Sequence, residues 1–197
     1  VLYNSDLRGI MSQAGSISSG GGTSSGNLVL IESQTASASA DLTFTNSFAG
    51  YDVLYLVHYG VIASVNDTTL YLNFSTDGGA TYDTSAIYYQ RGFSSGVGIG
   101  LVTQNLDNQT AAAINTAIGL GTPNSGASGF SYIYSVNSST VDKNIITCGV
   151  CNSATYSVLR SDIAVIYDSV TPVNALRLQM ATGNITSGTF KLYGIVN

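Results

Sequence analysis

The chain has 197 residues, a net charge of −5 and 9% charged residues, against about 25% in typical globular domains. Its length suits one domain with its own core. The scarcity of Glu, Lys and Arg excludes coiled coils, and six scattered basic residues exclude a nucleic-acid footprint. No apolar stretch is long enough for us to expect membrane insertion. Low charge favours association, so we expect a component of an assembly or an extracellular protein.

The chain divides into a predicted N-terminal arm, residues 1–27, and a predicted β-domain, residues 28–197. Residues 12–27 are rich in Gly and Ser, a composition typical of flexible linkers. Ordering such a segment costs about 1–2 kcal/mol per residue, so it needs a surface to pack on. We expect the arm to pack on its own domain or on a neighbouring subunit. Its candidate assembly residues are Ser12, Ile17, Gly20, Gly21 and Gly22.

Strand patterns follow the arm. Apolar and polar residues alternate with period two in 40–45, 51–63 and 69–74, which is typical of half-buried strands. Turn signals recur roughly every ten to fifteen residues, which indicates an antiparallel β-sandwich of jelly-roll type with about eight to ten strands. Further predicted strands lie at 28–31, 86–89, 130–134, 145–148, 154–159, 163–167, 175–180 and 190–196.

Two glycine-rich loops and one short helix interrupt this predicted pattern. The loops are expected at 92–100 and 119–129, where glycine is frequent. The helix is predicted over 103–118, because Leu106, Ile114 and Ile118 stand near helical spacing.

The segment 75–82 carries the most specific local signal. It resembles the Asp-box of sialidases and related propellers, with Tyr82 at the usual place of Trp. That box is a hairpin element without catalytic residues, and it occurs here once. Consecutive glycines after an aspartate favour a tight hairpin, because glycine adopts the positive φ that the turn needs. The predicted structural hairpin residues are Ser75, Asp77, Gly78, Gly79 and Tyr82.

Few residues are candidates for catalysis or metal binding. His58, the one histidine, lies within a strand pattern and is interpreted as a core or interface residue. Cys148 and Cys151 are too few for a zinc site, which needs about four ligands. Residues i and i+3 of a strand point to opposite faces, so free thiols are favoured over a disulfide or a metal. Aspartates could still meet as a glycosidase pair, although turns explain most of them. We expect no enzymatic activity and no cofactor.

Tyrosine is the remaining functional signal, with 13 residues. Tyrosine is enriched at protein interfaces and its ring can stack on sugars, although many of these rings could simply fill the core. The candidate ligand or interface residues are Tyr88, Tyr89, Phe93, Tyr132 and Tyr134.

Two motifs carry a family resemblance that extends over about residues 28–196. They are the S-T-D-G-G turn at 75–79 and the closing segment T-G-N-I-T-S-G-T-F-K-L-Y-G-I at 182–195. With the order of the segments around them, they resemble virion structural and tail-fibre-like proteins of tailed bacteriophages, common among phages of aquatic bacteria. Residues 92–157 match least. The resemblance implies a structural or adsorption module of a virion, without catalytic residues.

The expected function follows from these signals together. We expect a non-enzymatic virion protein, a capsid decoration or fibre component, that assembles through its arm and its β-sandwich surfaces. Expected partners are copies of itself, in a homo-oligomer such as a trimer, and the major capsid protein or tail proteins. The alternative is a tail module that binds a host receptor or surface glycan. A cell-surface filament subunit and a polysaccharide depolymerase are weaker alternatives.

Overall fold

The computed structural model describes residues 28–97, 99–118, 126–152 and 158–196. Every regular element in these ranges is a strand, and two antiparallel sheets pack against each other as a β-sandwich. The all-β sandwich is thereby confirmed, and its jelly-roll type stays a prediction. The arm and its candidate residues lie outside the described ranges. Within those ranges no helix is long and apolar enough to cross a membrane.

Twelve strands make up the described part of the chain. They are β1 (Leu28–Ser39), β2 (Asp41–Phe44), β3 (Val53–Ala63), β4 (Thr68–Ser75), β5 (Tyr88–Gly96), β6 (Ile99–Gln109), β7 (Ala112–Ile118), β8 (Gly126–Tyr134), β9 (Lys143–Asn152), β10 (Leu159–Tyr167), β11 (Ala175–Met180) and β12 (Ile185–Ile195). The larger sheet has the order β1-β12-β3-β8-β9-β10-β5-β6, and the smaller sheet has the order β2-β11-β4-β7.

The core lies between the two sheets. In β9 and β10 every second residue is buried, because successive side chains of a strand point to opposite faces and one face meets the smaller sheet. One apolar cluster joins both sheets, and aromatic rings fill its widest part. The ring centres of Tyr88 and Tyr167 lie 4.9 Å apart, and Phe74 packs 5.0 Å from Tyr167. These rings connect β4 of the smaller sheet to β5 and β10 of the larger one.

Polar side chains of the larger sheet hold β7, the edge strand of the smaller one. The amide of Gln90 donates to the carbonyl oxygen of Ala111 at 3.0 Å and accepts from the N–H of Ala113 at 2.8 Å. The hydroxyl of Thr147 donates to the carbonyl oxygen of Ile114 at 2.9 Å. An unpaired backbone group in the interior is costly, so these bonds replace the missing neighbouring strand.

The predicted helix over 103–118 is wrong, because that stretch is divided between β6 and β7. In β7 most residues are buried, including Ala112, Ala113, Ile114 and Ile118. A strand buried on both faces loses the period-two alternation, and its apolar residues then imitate helical spacing.

The two predicted glycine-rich loops are mostly strand where the structure describes them, with Val97 alone in the turn between β5 and β6. Gly92 and Gly96 lie in β5, and residues 126–129 begin β8, whereas 119–125 lie outside the described ranges. A Cβ atom on Gly92 would clash with the backbone of Asp162 in the neighbouring β10. The glycine is there for close strand packing, which composition alone does not distinguish from a loop. The predicted strand at 154–159 is described only from residue 158 onward.

Replacing Gln90 tests how much the polar support of β7 contributes. Gln90→Met keeps the volume but leaves the Ala111 carbonyl and the Ala113 N–H unpaired, so we expect a loss of roughly 2–4 kcal/mol in the free energy of unfolding. Gln104→Met is the matched control, because Gln104 is half-buried and its amide donates to a side chain, the Ser94 hydroxyl at 3.2 Å, in the described structure. Urea denaturation of both variants makes the comparison, and equal losses would contradict the support by Gln90.

Candidate interaction surface

The turn at 75–82 is held together by a carboxylate and two hydroxyl side chains. Ser75 donates to Asp77 Oδ1 at 2.7 Å and accepts from the N–H of Gly79 at 2.9 Å. Thr81 donates to Asp77 twice, from its hydroxyl at 2.6 Å and from its N–H at 2.9 Å. The bonds from Thr81, followed by the one from Ser75, lower the pKa of Asp77 to about 2. The carboxylate accepts three hydrogen bonds from within the turn, which indicates a structural role.

The turn does not form the predicted hairpin, because β4 and β5 belong to different sheets. Both edges of β4 are already paired, with β11 and β7. The turn therefore starts the crossover from the smaller sheet to the larger one. Asn174, just before β11, anchors it by accepting from the N–H of Gly78 at 2.8 Å. Gly78 and Gly79 have φ of 76° and 89°, and the Tyr82 ring lies 4.8 Å from the Arg177 guanidinium carbon.

The outward side of the larger sheet is rich in aromatic and aliphatic side chains. We call this surface the outer apolar face. Its members alternate with buried residues along β3, β5, β8, β9 and β12, so they share one side of the sheet. They are Tyr55, Val57, Tyr59, Phe93, Phe130, Tyr132, Tyr134, Ile146, Val150 and Tyr193.

Tyr55 lies at the aromatic centre of this face. It stands directly opposite Tyr132 of β8 and Tyr193 of β12, so three strands contribute adjacent rings. The ring centres of Tyr55 and Tyr132 are 4.7 Å apart, and Tyr132 stacks 6.1 Å from Tyr134. Burial, and then the neighbouring Tyr132 and Tyr193, raise the pKa of the Tyr55 hydroxyl. The Tyr55 hydroxyl therefore stays protonated and neutral at the aromatic centre of the face.

A shallow, mostly apolar depression of about 820 Å³ lies on the outer apolar face. Tyr59, Val57 and Phe130 line it on one side and Val150 and Val158 on the other. Tyr59 is 44% exposed, Val150 49% and Val158 51%. Contiguous exposed apolar surface of this kind marks interaction sites in soluble proteins.

The structure separates the five tyrosine and phenylalanine residues predicted as ligand or interface positions. Tyr132 and Tyr134 lie together on the outer apolar face, with Tyr89 and Phe93 farther along the same side on β5. Tyr88 lies in the core instead. Its hydroxyl accepts from the N–H of Phe74 at 3.1 Å, and burial raises its pKa. Tyr88 is therefore not part of the surface.

Sequence reasoning missed several members of the outer apolar face. Tyr55 and Tyr193 were not among the predicted site residues, nor were the aliphatic residues Ile146 and Val150. Period-two alternation in 51–63 and 145–148 does contain this signal, because it assigns alternate residues to one side of the sheet.

His58 lies on the core side of β3, beneath the outer apolar face. Its Nε2 is 3.2 Å from the Asn115 side-chain amide, and its Nδ1 has no hydrogen-bond partner in the described part of the chain. Burial lowers its pKa to about 4. Gly129 and Gly149, opposite each other on β8 and β9, leave the room that this pair needs. A Cβ on Gly129 would lie 2.8 Å from His58 Cε1, and one on Gly149 would lie 2.6 Å from Asn115 Nδ2. The core interpretation of His58 is confirmed.

The two cysteines are free, as the strand geometry predicts. Cys148 is on the outward side of β9 and Cys151 is on the core side. The Cys151 thiol donates to the carbonyl oxygen of Thr116 at 3.1 Å, and burial raises its pKa to about 12. Among the described residues, no group of three or more His, Cys, Asp or Glu side chains is placed to hold a metal ion.

Comparison with protein-family models, with curated proteins and with solved structures gives no match for this chain. The resemblance of its turn and closing segment to phage virion proteins therefore stays a prediction. The described surface is the main guide to its function.

The buried imidazole of His58 makes stability depend on pH. Its pKa is about 4 in the folded chain against 6.5 for an unperturbed histidine, so unfolding takes up a proton between these values. Stability is thus full above pH 6.5 and falls by ~3 kcal/mol from this group as the pH drops to 4. His58→Gln should flatten this part of the pH dependence in urea denaturation.

The wild-type chain offers a direct measurement, because one histidine gives one imidazole resonance. The NMR titration of this resonance should have its midpoint near pH 4. A midpoint near pH 6.5 would contradict the buried neutral imidazole.

Proposed function

We propose that this chain is a non-enzymatic structural protein of a bacteriophage virion, a capsid decoration or fibre component. It packs against copies of itself and against capsid or tail proteins through the outer apolar face of its larger sheet. The main support is this face itself, which joins aromatic and aliphatic residues of five strands in a chain with 9% charged residues.

The chemistry of the face suits burial against protein. Protein interfaces are enriched in aromatic residues and depleted of charge at their centre, with polar groups at the rim. The charged residues beside the outer apolar face include two ion pairs and Lys191, whose ammonium nitrogen lies 5.9 Å from the centre of the Tyr59 ring. Arg160 binds Asp162 at 2.8 Å, and Arg91 binds Asp107 at 2.7 Å. Covering the centre of the face therefore buries few unpaired charges, which is the costly component of association.

The two motifs that resemble phage virion proteins lie in structurally important places. The closing segment contains the whole of β12, and it supplies Tyr193 to the outer apolar face. The turn at 75–79 starts the crossover between the sheets. These positions support the virion assignment, because the resembling residues build both the sandwich and its candidate interface.

A host-surface glycan is the second candidate partner. Tyr132 and Tyr134 stack with an interplanar angle of 25°, so they present neighbouring rings with hydroxyl groups at their edges. Aromatic rings with polar tips suit a surface that is half apolar and half wet, as sugars require. A tail module that recognises its host through these rings is the function that this observation favours.

Charges placed on the outer apolar face test the proposed assembly. Ile146→Lys combined with Val150→Lys, at side chains 53% and 49% exposed, should leave the sandwich folded. Incorporation into particles should fall at least about tenfold, because unpaired ammonium groups would be buried at the interface. Quantitative mass spectrometry of purified virions measures the incorporation.

The matched control carries the same charges elsewhere. Val141→Lys with Val170→Lys changes valines that are 51% and 46% exposed and lie outside the strands. It should be incorporated normally. Equal incorporation of both double variants would show that the outer apolar face is not a contact in the particle.

Deletion of residues 1–26 tests the arm separately. We expect the truncated chain to fold, because the described sandwich begins at Leu28, and to be lost from virions. Circular dichroism and the same mass spectrometry provide the two readouts. Normal incorporation of the folded, truncated chain would show that the arm is not an attachment.

Binding of the purified chain to a glycan array and to host cells discriminates the second candidate. Binding that disappears in Tyr132→Ser together with Tyr134→Ser would favour the receptor module. No binding in either assay is the outcome that the structural role predicts.

A further inference from the structure

The strand β6 forms an open edge of the larger sheet. It is the last strand in the order, and β5 is its one neighbour in the described structure. Between Gly100 and Asn108, every residue except Gln104 is exposed. Leu101 is 66% exposed, Val102 50% and Leu106 40%, so apolar side chains stand uncovered on both sides of the strand. Gln104 bonds Ser94, which is buried, so the even-numbered residues face the core side.

The other edges of the sandwich are better protected. Gln90 and Thr147 satisfy backbone groups of β7, and β2 is only four residues long. The strand β1 has a bulge between Leu30 and Glu32. Its backbone also accepts from side chains, with Asn46 on Ile31 and Asn184 on Ala38, each at 3.4 Å. Proteins that keep an edge strand single usually protect it in such ways, or with Lys, Pro and bulges.

The strand β6 has little of this protection. It contains no Lys or Pro, and its one charge, Asp107, is paired with Arg91. From Val102 to Leu106 its register with β5 is regular. Side chains reach its backbone near one end, where Arg91 donates to the Leu106 carbonyl at 3.3 Å and Gln109 donates to that of Asp107 at 2.8 Å. An open edge with exposed apolar side chains and no unpaired charge is a template for another strand.

We infer that β6 pairs antiparallel with β6 of a second copy of this chain, so that two larger sheets become one continuous sheet. The inference deepens the proposed function, because it identifies one of the contacts between copies. A two-fold axis near Gln104 relates the two copies, so each contact between them occurs twice. This is the arrangement of a self-complementary interface.

The side chains of β6 match themselves in this register. On the core side, the two Gln104 amides form the central pair. Val102 lies opposite Leu106 of the partner subunit, and the two-fold axis repeats this pair on each side of the centre. On the outer side, Leu101 lies opposite Asp107 of the partner subunit, and Thr103 lies opposite Asn105 of the partner subunit. Apolar residues thus meet apolar residues on one side, and no two like charges are opposed.

Sedimentation velocity of the purified full chain over a range of concentrations tests the inference. We expect a reversible dimer. Val102→Lys with Leu106→Lys places like charges opposite each other across the axis, and should raise the dimer dissociation constant at least about tenfold. The isolated variant should keep the far-UV circular dichroism of the wild type, because both side chains are already exposed.

A second substitution tests the register itself. Leu101→Lys adds one charge to the same strand but places it opposite Asp107 of the partner subunit, so the dimer should persist. Val170→Lys, at an exposed valine outside the strands, is the control without effect. A chain that stays monomeric up to its solubility limit overturns the inference. So does a dimer that the Val102 and Leu106 substitutions leave intact, because another surface then forms it.

This measurement is independent of the virion assignment. A dimer that depends on β6, in a protein missing from particles, would support the inference and remove the proposed function. Normal incorporation of a chain that is monomeric in solution would overturn the inference and support the proposed function.

Discussion

The fold depends on the way in which the larger sheet satisfies the backbone of β7. Gln90 and Thr147 project from that sheet into the core and bond the polar groups of a strand that has a neighbour on one side only. Backbone groups buried without partners would cost several kcal/mol together. These bonds fix β7 over the middle of the larger sheet and align the small sheet with it. The smaller sheet has only four strands in the described structure, so it leaves parts of the eight-stranded sheet uncovered.

Eight strands facing four leave much of the larger sheet without a protein layer. Its core side is buried along β12, β3, β8, β9, β10 and β5, whereas β6 stands beyond the small sheet with exposed side chains. Its outward side presents the ring cluster around Tyr55 and the aliphatic residues Ile146 and Val150. Apolar surface of this extent is stable in water when another molecule covers it. With few charges to keep copies apart, the chain is suited to dense packing in an assembly, which is the basis of the proposed virion role.

The sequence predicts the parts of this fold that depend on local patterns. Period-two alternation identifies most strands, and the spacing of Cys148 and Cys151 predicts two free thiols, which the structure confirms. The remainder depends on contacts that are distant in sequence. Alternation disappears in β7 because both of its faces are buried, so its pattern predicts a helix instead. The partners of β4 are β11 and β7, which no local signal reveals, so the pattern at 75–82 predicts a hairpin that the structure does not form. Tyr88 and Tyr132 have similar surroundings in sequence, and only the packing of the sheets places one in the core and the other outside.

Immunogold electron microscopy of intact virions, with an antibody against this chain, tests the central claim most directly. A structural virion protein should be labelled on the unbroken particle, over the head for a decoration protein or along a fibre. Label confined to the tail tip would favour the receptor-binding alternative. Intact particles without label, from a culture whose lysate contains the protein, would contradict the claim that this chain is part of the virion.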